Sequence, residues 1–215
     1  MFGAKVQIAV GEKGVAAEVV MVPFGLRRRY DPKDAEVLRI NPKGQVPVLV
    51  DGQSQLYDST QIFEYLEDAH PEPRLWPQDV AQRALARQLE HASDEVFFPN
   101  IIKLMSPVGD GRDHAFAQAV AYHETMDRRL HDRAFLAGDF GYADIAFFMA
   151  ALFGEVLGVP ITPDKRALQD WRRRVAHRPA VRSVVEPMLR FMAERKMVDD
   201  RFGERVLSLS AAGST

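Results

Sequence analysis

Apolar residues in the first eighty positions change their spacing several times, which predicts a mixture of helices and strands. Val6, Ala9 and Val10 lie at helical spacing. The apolar run over residues 16–22 is rich in valine, as strands are. The pattern predicts, in chain order, a helix over 4–13, a strand over 16–22, a short helix over 32–38, strands over 46–50 and 55–57, and a helix over 59–68.

Two turn signals divide this part of the chain. Asp51-Gly52 stands between two apolar runs, and this dipeptide favours a β-hairpin. Residues 70–79 carry three prolines, a composition typical of a linker between domains. The predicted organisation is a first domain over 1–72, a linker over 73–79, a second domain over 80–200 and a tail over 201–215.

Beyond the linker the apolar positions keep a helical period, so the sequence predicts an α/β first domain followed by an all-helical bundle domain. Pro99 is expected to kink or break the first helix of the bundle, because proline removes a helical hydrogen bond. Residues 205–210 alternate apolar and polar side chains like a strand, and pairing of this segment with the sheet is a hypothesis. Helices are predicted over 79–105, 112–132, 142–157, 164–177 and 179–196.

Composition and charge exclude several kinds of site. A formal net charge of -2 gives no field that would attract nucleic acid or an anionic membrane. Without cysteine there is no disulfide, no thiolate metal ligand and no cysteine nucleophile. His123 and His131 have no evident third ligand, so no metal site is predicted. The sequence lacks a secretory signal pattern and a membrane-length apolar run, so we expect a cytoplasmic protein.

Val46-Pro47 opens the first strand of the predicted hairpin. A proline at the start of a strand needs no special role, and most bonds before proline are trans. If this bond is cis, the chain turns so that Val46 shows its backbone N–H and C=O to solvent. Such an edge can pair with a short extended peptide, so this stretch is a candidate peptide-binding site.

Asp58-Ser59 lies between the second hairpin strand and the next helix, where two interpretations are open. One is a capping box in which Asp58 or Ser59 caps the helix and Gln61 reaches back. In the other, free amides and the helix dipole hold a carboxylate while Asp58 holds an ammonium group. An α-amino acid carries both charges, and the two interpretations are compatible.

Asp144 is a candidate for a purely structural role. It lies three positions after Gly141, at the start of an apolar helix. At that spacing its carboxylate can accept the backbone N–H of Gly141, which would stabilise the helix by about 0.5–2 kcal/mol.

Taken together, these motifs resemble those of the cytosolic glutathione transferases, of bacterial type. The resemblance implies a thioredoxin-like first domain, an all-helical second domain, glutathione as co-substrate, no metal and a homodimer. Gly141 departs from the pattern, since Ser or Thr usually caps this helix. The resemblance rests on residues 41–49 (NPKGQVPVL), on Asp58-Ser59 with Ile62, Tyr65 and Leu66, and on Gly138-Asp139 followed by residues 143–146 (ADIA).

The resemblance also implies roles for individual residues. Val46 would pair its backbone with the cysteinyl unit of glutathione beside a cis Pro47. The γ-glutamyl group would be held by Asp58 and Ser59, with Gln45 beside them. The remaining implied contacts are Lys33 or Lys43 for the glycyl carboxylate, and His91, Phe97, Phe98, Asn100 and Lys103 for a small hydrophobic electrophile.

The beginning of the sequence departs from such relatives. In them the first helix follows an interior strand and a loop that carries the Ser, Cys or Tyr stabilising the thiolate. Here the predicted first helix follows Met1 directly. We therefore expect a thioredoxin-like domain without its first strand, no assignable catalytic residue and weak catalysis. Two functions stay open: a transferase that conjugates glutathione to an electrophile, and a non-catalytic binding or regulatory scaffold.

Overall fold

The computed structural model describes residues 1–22, 33–105, 111–199 and 202–207. The chain forms two compact units, Met1–Pro73 and Arg74–Thr215. Residue 32 of the predicted short helix and residues 208–215 of the predicted tail lie outside the described residues.

The described part of the first unit combines three helices with a β-hairpin. The hairpin confirms the prediction made from Asp51-Gly52, and Gly52 adopts a φ of +56°, which a residue without Cβ does at little cost. The two strands pair antiparallel, with Val48 opposite Tyr57 at the open end. The elements are α1 (Phe2–Glu12), α2 (Ala35–Ile40), β1 (Val48–Asp51), β2 (Ser54–Tyr57) and α3 (Ser59–Ala69).

Helices α1 and α3 supply the core of the first unit. Ile8, Ile62 and Phe63 have 0% of their surface exposed. Lys5 is also buried, and its ammonium nitrogen lies 5.3 Å from the centre of the Phe63 ring, a cation–π distance. The middle of α3 is tied to the hairpin, because the Tyr65 hydroxyl donates to Asp51 Oδ2 at 2.9 Å.

The predicted strand over 16–22 is wrong. Residues 15–22 have no regular secondary structure, and Val20 and Met21 are 74% and 75% exposed. An apolar run becomes a strand only when a neighbouring strand accepts its hydrogen bonds and packs against its side chains. In the described part of the chain β1 and β2 pair with each other and with no third strand.

Lys13 joins the end of α1 to the end of α3. Its side chain is fully buried, and its ammonium nitrogen donates to Glu67 at 2.5 Å and to the carbonyl oxygens of His70 and Pro73 at 2.8 Å each. A cation near the C-terminus of a helix bonds carbonyls that have no partner within the helix. One ammonium group thus satisfies three acceptors near the C-terminal end of α3 and links that end to α1.

The second unit is helical, as the sequence predicts. A π-helical turn over Ser93–Phe97 joins its first two helices and supplies the predicted break. Pro99 follows as the second residue of α5, where a missing N–H costs little. None of the described helices combines the length and apolarity needed to cross a bilayer. The helices are α4 (Val80–Ala92), α5 (Phe98–Lys103), α6 (Arg112–Leu130), α7 (Tyr142–Val156), α8 (Arg166–Ala176), α9 (Pro179–Glu194) and α10 (Phe202–Leu207).

Helix α7 is the centre of the second unit, and Asp144 fixes its first turn. The carboxylate is 0% exposed and accepts hydrogen bonds from Leu136 N at 3.0 Å, Gly141 N at 3.1 Å and Trp171 Nε1 at 2.7 Å. Burial raises the pKa of Asp144 to about 6, while these donors act in the opposite direction. The Trp171 ring stacks on Phe147 with 5.2 Å between centres.

The segment predicted as a linker carries two side chains into the second unit. Leu75 and Trp76 are 4% and 3% exposed. The carbonyl of Leu75 accepts the Tyr142 N–H at 3.2 Å, and the Trp76 ring lies 4.7 Å from the Tyr142 ring. These contacts hold the start of the unit against the beginning of α7.

The predicted strand over 205–210 is wrong for residues 205–207, which are helical, while 208–210 lie outside the described residues. Phe202 and Val206 are spaced four apart and are 5% and 2% exposed. Two apolar residues at that spacing share one face of a helix, so packing of α10 on α9 and α8 decides the conformation here.

His123 is a buried histidine whose ring nitrogens have no hydrogen-bond partner among the described residues. The imidazole lies on α6, is 1% exposed and sits 5.2 Å from the Phe97 ring centre. Burial first, and then the charges of Lys165 and Arg172, lower its pKa from 6.5 to about 4. The folded protein therefore keeps this imidazole neutral at pH values where the unfolded chain protonates it.

Lys13→Met should lower the free energy of unfolding by about 2–3 kcal/mol, because three acceptors at the end of α3 lose their donor. Urea denaturation followed by circular dichroism measures the change. Lys103→Met is the matched control, since Lys103 is exposed on α5. Equal stability of the Lys13 and Lys103 variants would contradict the structural role of Lys13.

His123→Phe should flatten the dependence of stability on acid pH. Between pH 6.5 and about 4, His123 is protonated in the unfolded chain but neutral in the folded protein. Its contribution therefore leaves the free energy of unfolding unchanged above pH 6.5 and lowers it as the pH drops below that value. The wild type should lose about 3 kcal/mol more than the variant between pH 7 and pH 4. Urea titrations at several pH values test this, with His114→Phe, an exposed position on α6, as control. Parallel curves for wild type and the His123 variant would refute it.

Candidate functional site

The hairpin register brings the two predicted binding stretches together. Val48 stands opposite Tyr57, so Val46-Pro47 and Asp58-Ser59 continue the two strands beyond the same end of the hairpin. Adjacent strands lie about 4.8 Å apart, which makes the two stretches neighbours. The Val46–Pro47 peptide bond is cis, as the resemblance implies.

Val46 presents unpaired backbone groups at this end of the hairpin. Within the described residues neither its N–H nor its C=O has a hydrogen-bond partner, and the residue is partly exposed. Backbone polar groups are normally paired in folded proteins, with protein or with water. An unpaired N–H and C=O on one residue are the groups that an extended peptide uses when it adds to a strand.

Asp58 caps α3 from an unusual backbone conformation. Its φ is +74°, and its Oδ1 accepts the N–H groups of Thr60 at 3.0 Å and Gln61 at 3.3 Å. The capping prediction is therefore confirmed for Asp58. Neither cap bond uses Oδ2, and the residue is exposed, so a carboxylate oxygen remains available to a cation.

Ser59 is the first residue of α3 and is 3% exposed. Its N–H has no hydrogen-bond partner within the described ranges, whereas the next two amides donate to Asp58. A free amide at a helix N-terminus favours an anion, because the helix dipole is positive there. The site therefore offers an anion position at Ser59 and a cation position at Asp58, side by side.

Gln45 precedes Val46 in the loop before β1, and Lys33, which lies before α2, reaches the same loop with its side chain. Gln45 is exposed, and its carbonyl oxygen accepts the Asn41 side-chain amide at 2.7 Å. The Lys33 ammonium donates to the carbonyl oxygen of Gly44 at 2.5 Å. The structure thus places Lys33 at the site with one donor already engaged by the loop, and contact with a ligand carboxylate stays a prediction. Lys43 is exposed in the same loop.

The residues predicted to line a second-substrate pocket lie on α4, α5 and the turn between them. His91 and Lys103 are exposed, and the Asn100 side chain donates to the Val96 carbonyl at 2.9 Å. Phe98 is 8% exposed, and its ring lies edge-on to Phe153. These residues share one stretch of helix, but they do not form one exposed surface.

Phe97 differs from the rest of that set. It is 0% exposed and packs between Tyr122, His123 and Phe147, with ring centres 5.1–5.4 Å apart. A ligand cannot reach its side chain in this structure, so Phe97 acts as a core residue of the helical unit. Sequence periodicity marks it as apolar but does not distinguish a pocket wall from a core.

Metal ligation finds no support in the described ranges, which contain no cluster of three or more His, Asp or Glu side chains suited to a cation. His123 is buried, while His131 is exposed and bonds Asp132 at 2.9 Å.

Asn41 is the contributor to the site that sequence reasoning missed. The motif over residues 41–49 includes Asn41 and predicts no role for it, yet it is 3% exposed and its side chain bonds two points of the loop that carries Val46. A signal was present, because Asn followed by Pro-Lys-Gly is a turn sequence in which the Asn side chain bonds the backbone two residues on.

Two family models match the chain. The model described as glutathione S-transferase, N-terminal domain, matches residues 1–74, and the model described as glutathione S-transferase, C-terminal domain, matches residues 111–179. Together they cover more than half of the 215 residues.

Named relatives agree with the family models. The glutathione S-transferase GstB of Escherichia coli (strain K12) is 33% identical over 166 residues, which cover 71% of this chain and 78% of that protein. Glutathione S-transferase U7 of Arabidopsis thaliana is 24% identical over 194 residues, which cover 86% of this chain and 83% of that protein.

Solved structures of similar fold include two with glutathione bound. The theta class glutathione S-transferase of Xanthomonas axonopodis pv. citri is 27% identical, with a TM-score of 0.72 over 86% of this chain and 91% of that one. A glutathione transferase of Burkholderia graminis, with two glutathione molecules per subunit, is 25% identical, with a TM-score of 0.73 over 86% and 83%. Both family models and the GstB match lead to one conclusion: the chain belongs to the glutathione S-transferase family.

Proposed function

We propose that the protein binds glutathione at the open end of the hairpin and conjugates it through its sulfur to a small electrophile. The observation that carries the proposal is the juxtaposition of Val46, with its unpaired backbone groups, and the Asp58-Ser59 helix start. Glutathione has a peptide backbone at its cysteinyl unit and an amino acid head at its γ-glutamyl end. Its two recognition elements match the two parts of the site.

The cysteinyl unit pairs with Val46 as a short added strand. The Val46 N–H donates to the cysteinyl carbonyl, and the Val46 C=O accepts the cysteinyl N–H. Such backbone bonds recognise any extended peptide, so they supply affinity and orientation more than specificity.

The γ-glutamyl head provides the specificity, because it carries opposite charges on one carbon. Its ammonium group bonds Asp58 Oδ2, and its carboxylate bonds the Ser59 N–H at the positive end of α3. Ser59 is 3% exposed, so protein atoms shield its N–H from most competing water. Charge-assisted hydrogen bonds gain strength in such surroundings.

The chemical step is attack of the glutathione sulfur on an electrophilic carbon. A free thiol has a pKa near 8.5, so it is mostly protonated at neutral pH and reacts through its thiolate. The sulfur forms a new S–C bond, its proton leaves to solvent, and the leaving group departs with the electron pair of the bond that breaks. Donors around the sulfur that lower the thiol pKa accelerate this step.

Calorimetric titration with glutathione and a spectrophotometric conjugation assay with chlorodinitrobenzene test the proposal. Saturable binding at one site per chain and turnover above the uncatalysed rate are expected. Absence of glutathione binding would refute the proposal as a whole. Binding without turnover would refute transfer and leave a glutathione-binding scaffold.

Asp58→Asn should separate ligand binding from helix capping. Asparagine caps helices as well as aspartate does and tolerates positive φ, so stability should change by less than about 0.5 kcal/mol. The Kd for glutathione should rise at least about tenfold, because the ammonium group loses its charged partner.

Asp34→Asn is the matched control for this variant. Asp34 caps α2 through the same two kinds of bond, to Glu36 N at 2.9 Å and Val37 N at 3.2 Å. It should leave both stability and affinity near the wild-type values. Equal affinities for glutathione in the wild type and the Asp58 variant would refute the role given to the carboxylate.

A further inference from the structure

Several backbone groups of the loop from Asn41 to Gln45 form hydrogen bonds within the protein. The Lys43 N–H donates to Asn41 Oδ1 at 2.9 Å, and the Gly44 N–H donates to the Asn41 carbonyl at 2.8 Å. The carbonyl of Gly44 accepts Lys33 and that of Gln45 accepts Asn41 Nδ2. The two backbone groups of Val46, the next residue, have no such bond within the described residues.

Asn41 is held firmly enough to direct this loop. It is 3% exposed and ends α2, where its own N–H donates to the Val37 carbonyl at 2.8 Å. Its side-chain amide is engaged at both atoms, with Oδ1 accepting from Lys43 and Nδ2 donating to Gln45 at 2.7 Å. The amide plane therefore has one orientation that satisfies both bonds.

Fixing the Gln45 carbonyl also fixes the Val46 N–H. The two groups belong to the same peptide plane, and the Gln45–Val46 bond is not among the cis bonds of the described residues. In a trans peptide the C=O and N–H point in opposite directions. When Asn41 draws the Gln45 oxygen towards itself, the Val46 N–H is turned to the other side of the chain.

We propose that Asn41 is a positioning residue that orients the Val46 N–H towards the ligand. The inference rests on the proposed function, in which that N–H donates to the cysteinyl carbonyl of glutathione. Asn41 itself touches no part of the ligand. The Val46 C=O belongs to the next peptide plane, so the effect of Asn41 is confined to one of the two backbone bonds.

Two glutathione analogues separate these bonds. In the first, an alkene replaces the cysteinyl–glycyl peptide bond, which keeps the trans geometry and removes the carbonyl that accepts the Val46 N–H. In the second, an ester replaces the γ-glutamyl–cysteinyl amide, which removes the N–H that donates to the Val46 C=O. Wild-type protein should bind each at least tenfold more weakly than glutathione in calorimetric titrations.

Asn41→Asp is the test variant, because it has the same shape and keeps the acceptor for Lys43 but sets an oxygen against the Gln45 carbonyl. It should bind glutathione at least tenfold more weakly than the wild type and lose its preference for glutathione over the alkene analogue. Its preference over the ester analogue should persist. Asn41→Ser, too short to reach Gln45 and free of added charge, should behave in the same way.

Asp34→Ala serves as the control for a purely structural effect. It removes the cap of α2, at the other end of the same helix, and lowers stability without touching the loop bonds. Both analogue preferences should stay at wild-type values. Urea denaturation of each variant shows how much stability was lost.

The outcomes keep the two proposals distinct. If wild-type protein does not bind glutathione, the proposed function fails. If wild type binds glutathione and the Asn41 variants keep the full preference over the alkene analogue, the positioning role of Asn41 is overturned while the proposed function stands. The same result follows if Asp34→Ala loses that preference as fully as the Asn41 variants do.

Discussion

The antiparallel ladder between β1 and β2 determines where every backbone group of the candidate site lies. Because Val48 is paired with Tyr57, the chain enters the hairpin from Val46-Pro47 and leaves it at Asp58 on the same end. A slip of one residue would exchange the two faces of each strand, moving Leu49 and Leu56 outwards in place of Val50 and Gln55. The pairing register of the hairpin therefore fixes the position of the candidate site.

Side chains and backbone have different roles at this site. The backbone of Val46 and Ser59 offers hydrogen-bonding groups that every residue type except proline possesses, so the identity of their side chains matters little for those bonds. Asn41 and Asp58 instead contribute side-chain atoms, which bond Gln45, Lys43 and the first amides of α3. Loss of such a side chain leaves the overall fold intact, but the backbone groups that the side chain bonds are no longer held in one direction.

Sequence patterns predict the features that depend on neighbouring residues, and they fail where distant partners decide. The helical period identifies α1 and α3, and Asp51-Gly52 identifies the hairpin, because each signal is local. The run over 16–22 looks like a strand but lacks a partner in the described chain. The role of Lys13 depends on acceptors 54 to 60 positions away, which no local pattern contains. In the site, the motifs predict Val46 and Asp58. For Asn41, the local turn signal accounts for its bond to Lys43, whereas its bond to the Gln45 carbonyl is seen in the structure alone.

Asp58 shows why the most strained position of the first unit lies at the candidate site. A non-glycine residue at φ +74° costs about 1–3 kcal/mol, and surrounding structure must offset it. Two cap bonds from the N–H groups of Thr60 and Gln61 supply part of that stabilisation, and the bond from Tyr65 to Asp51 holds the middle of α3 against the hairpin. Because β2 ends at Tyr57 and α3 begins at Ser59, the chain has one residue, Asp58, in which to turn from β2 into α3. Glycine would turn there without strain, but it would bring no carboxylate. Aspartate adopts the strained backbone conformation, caps the helix with Oδ1 and leaves Oδ2 available to a ligand.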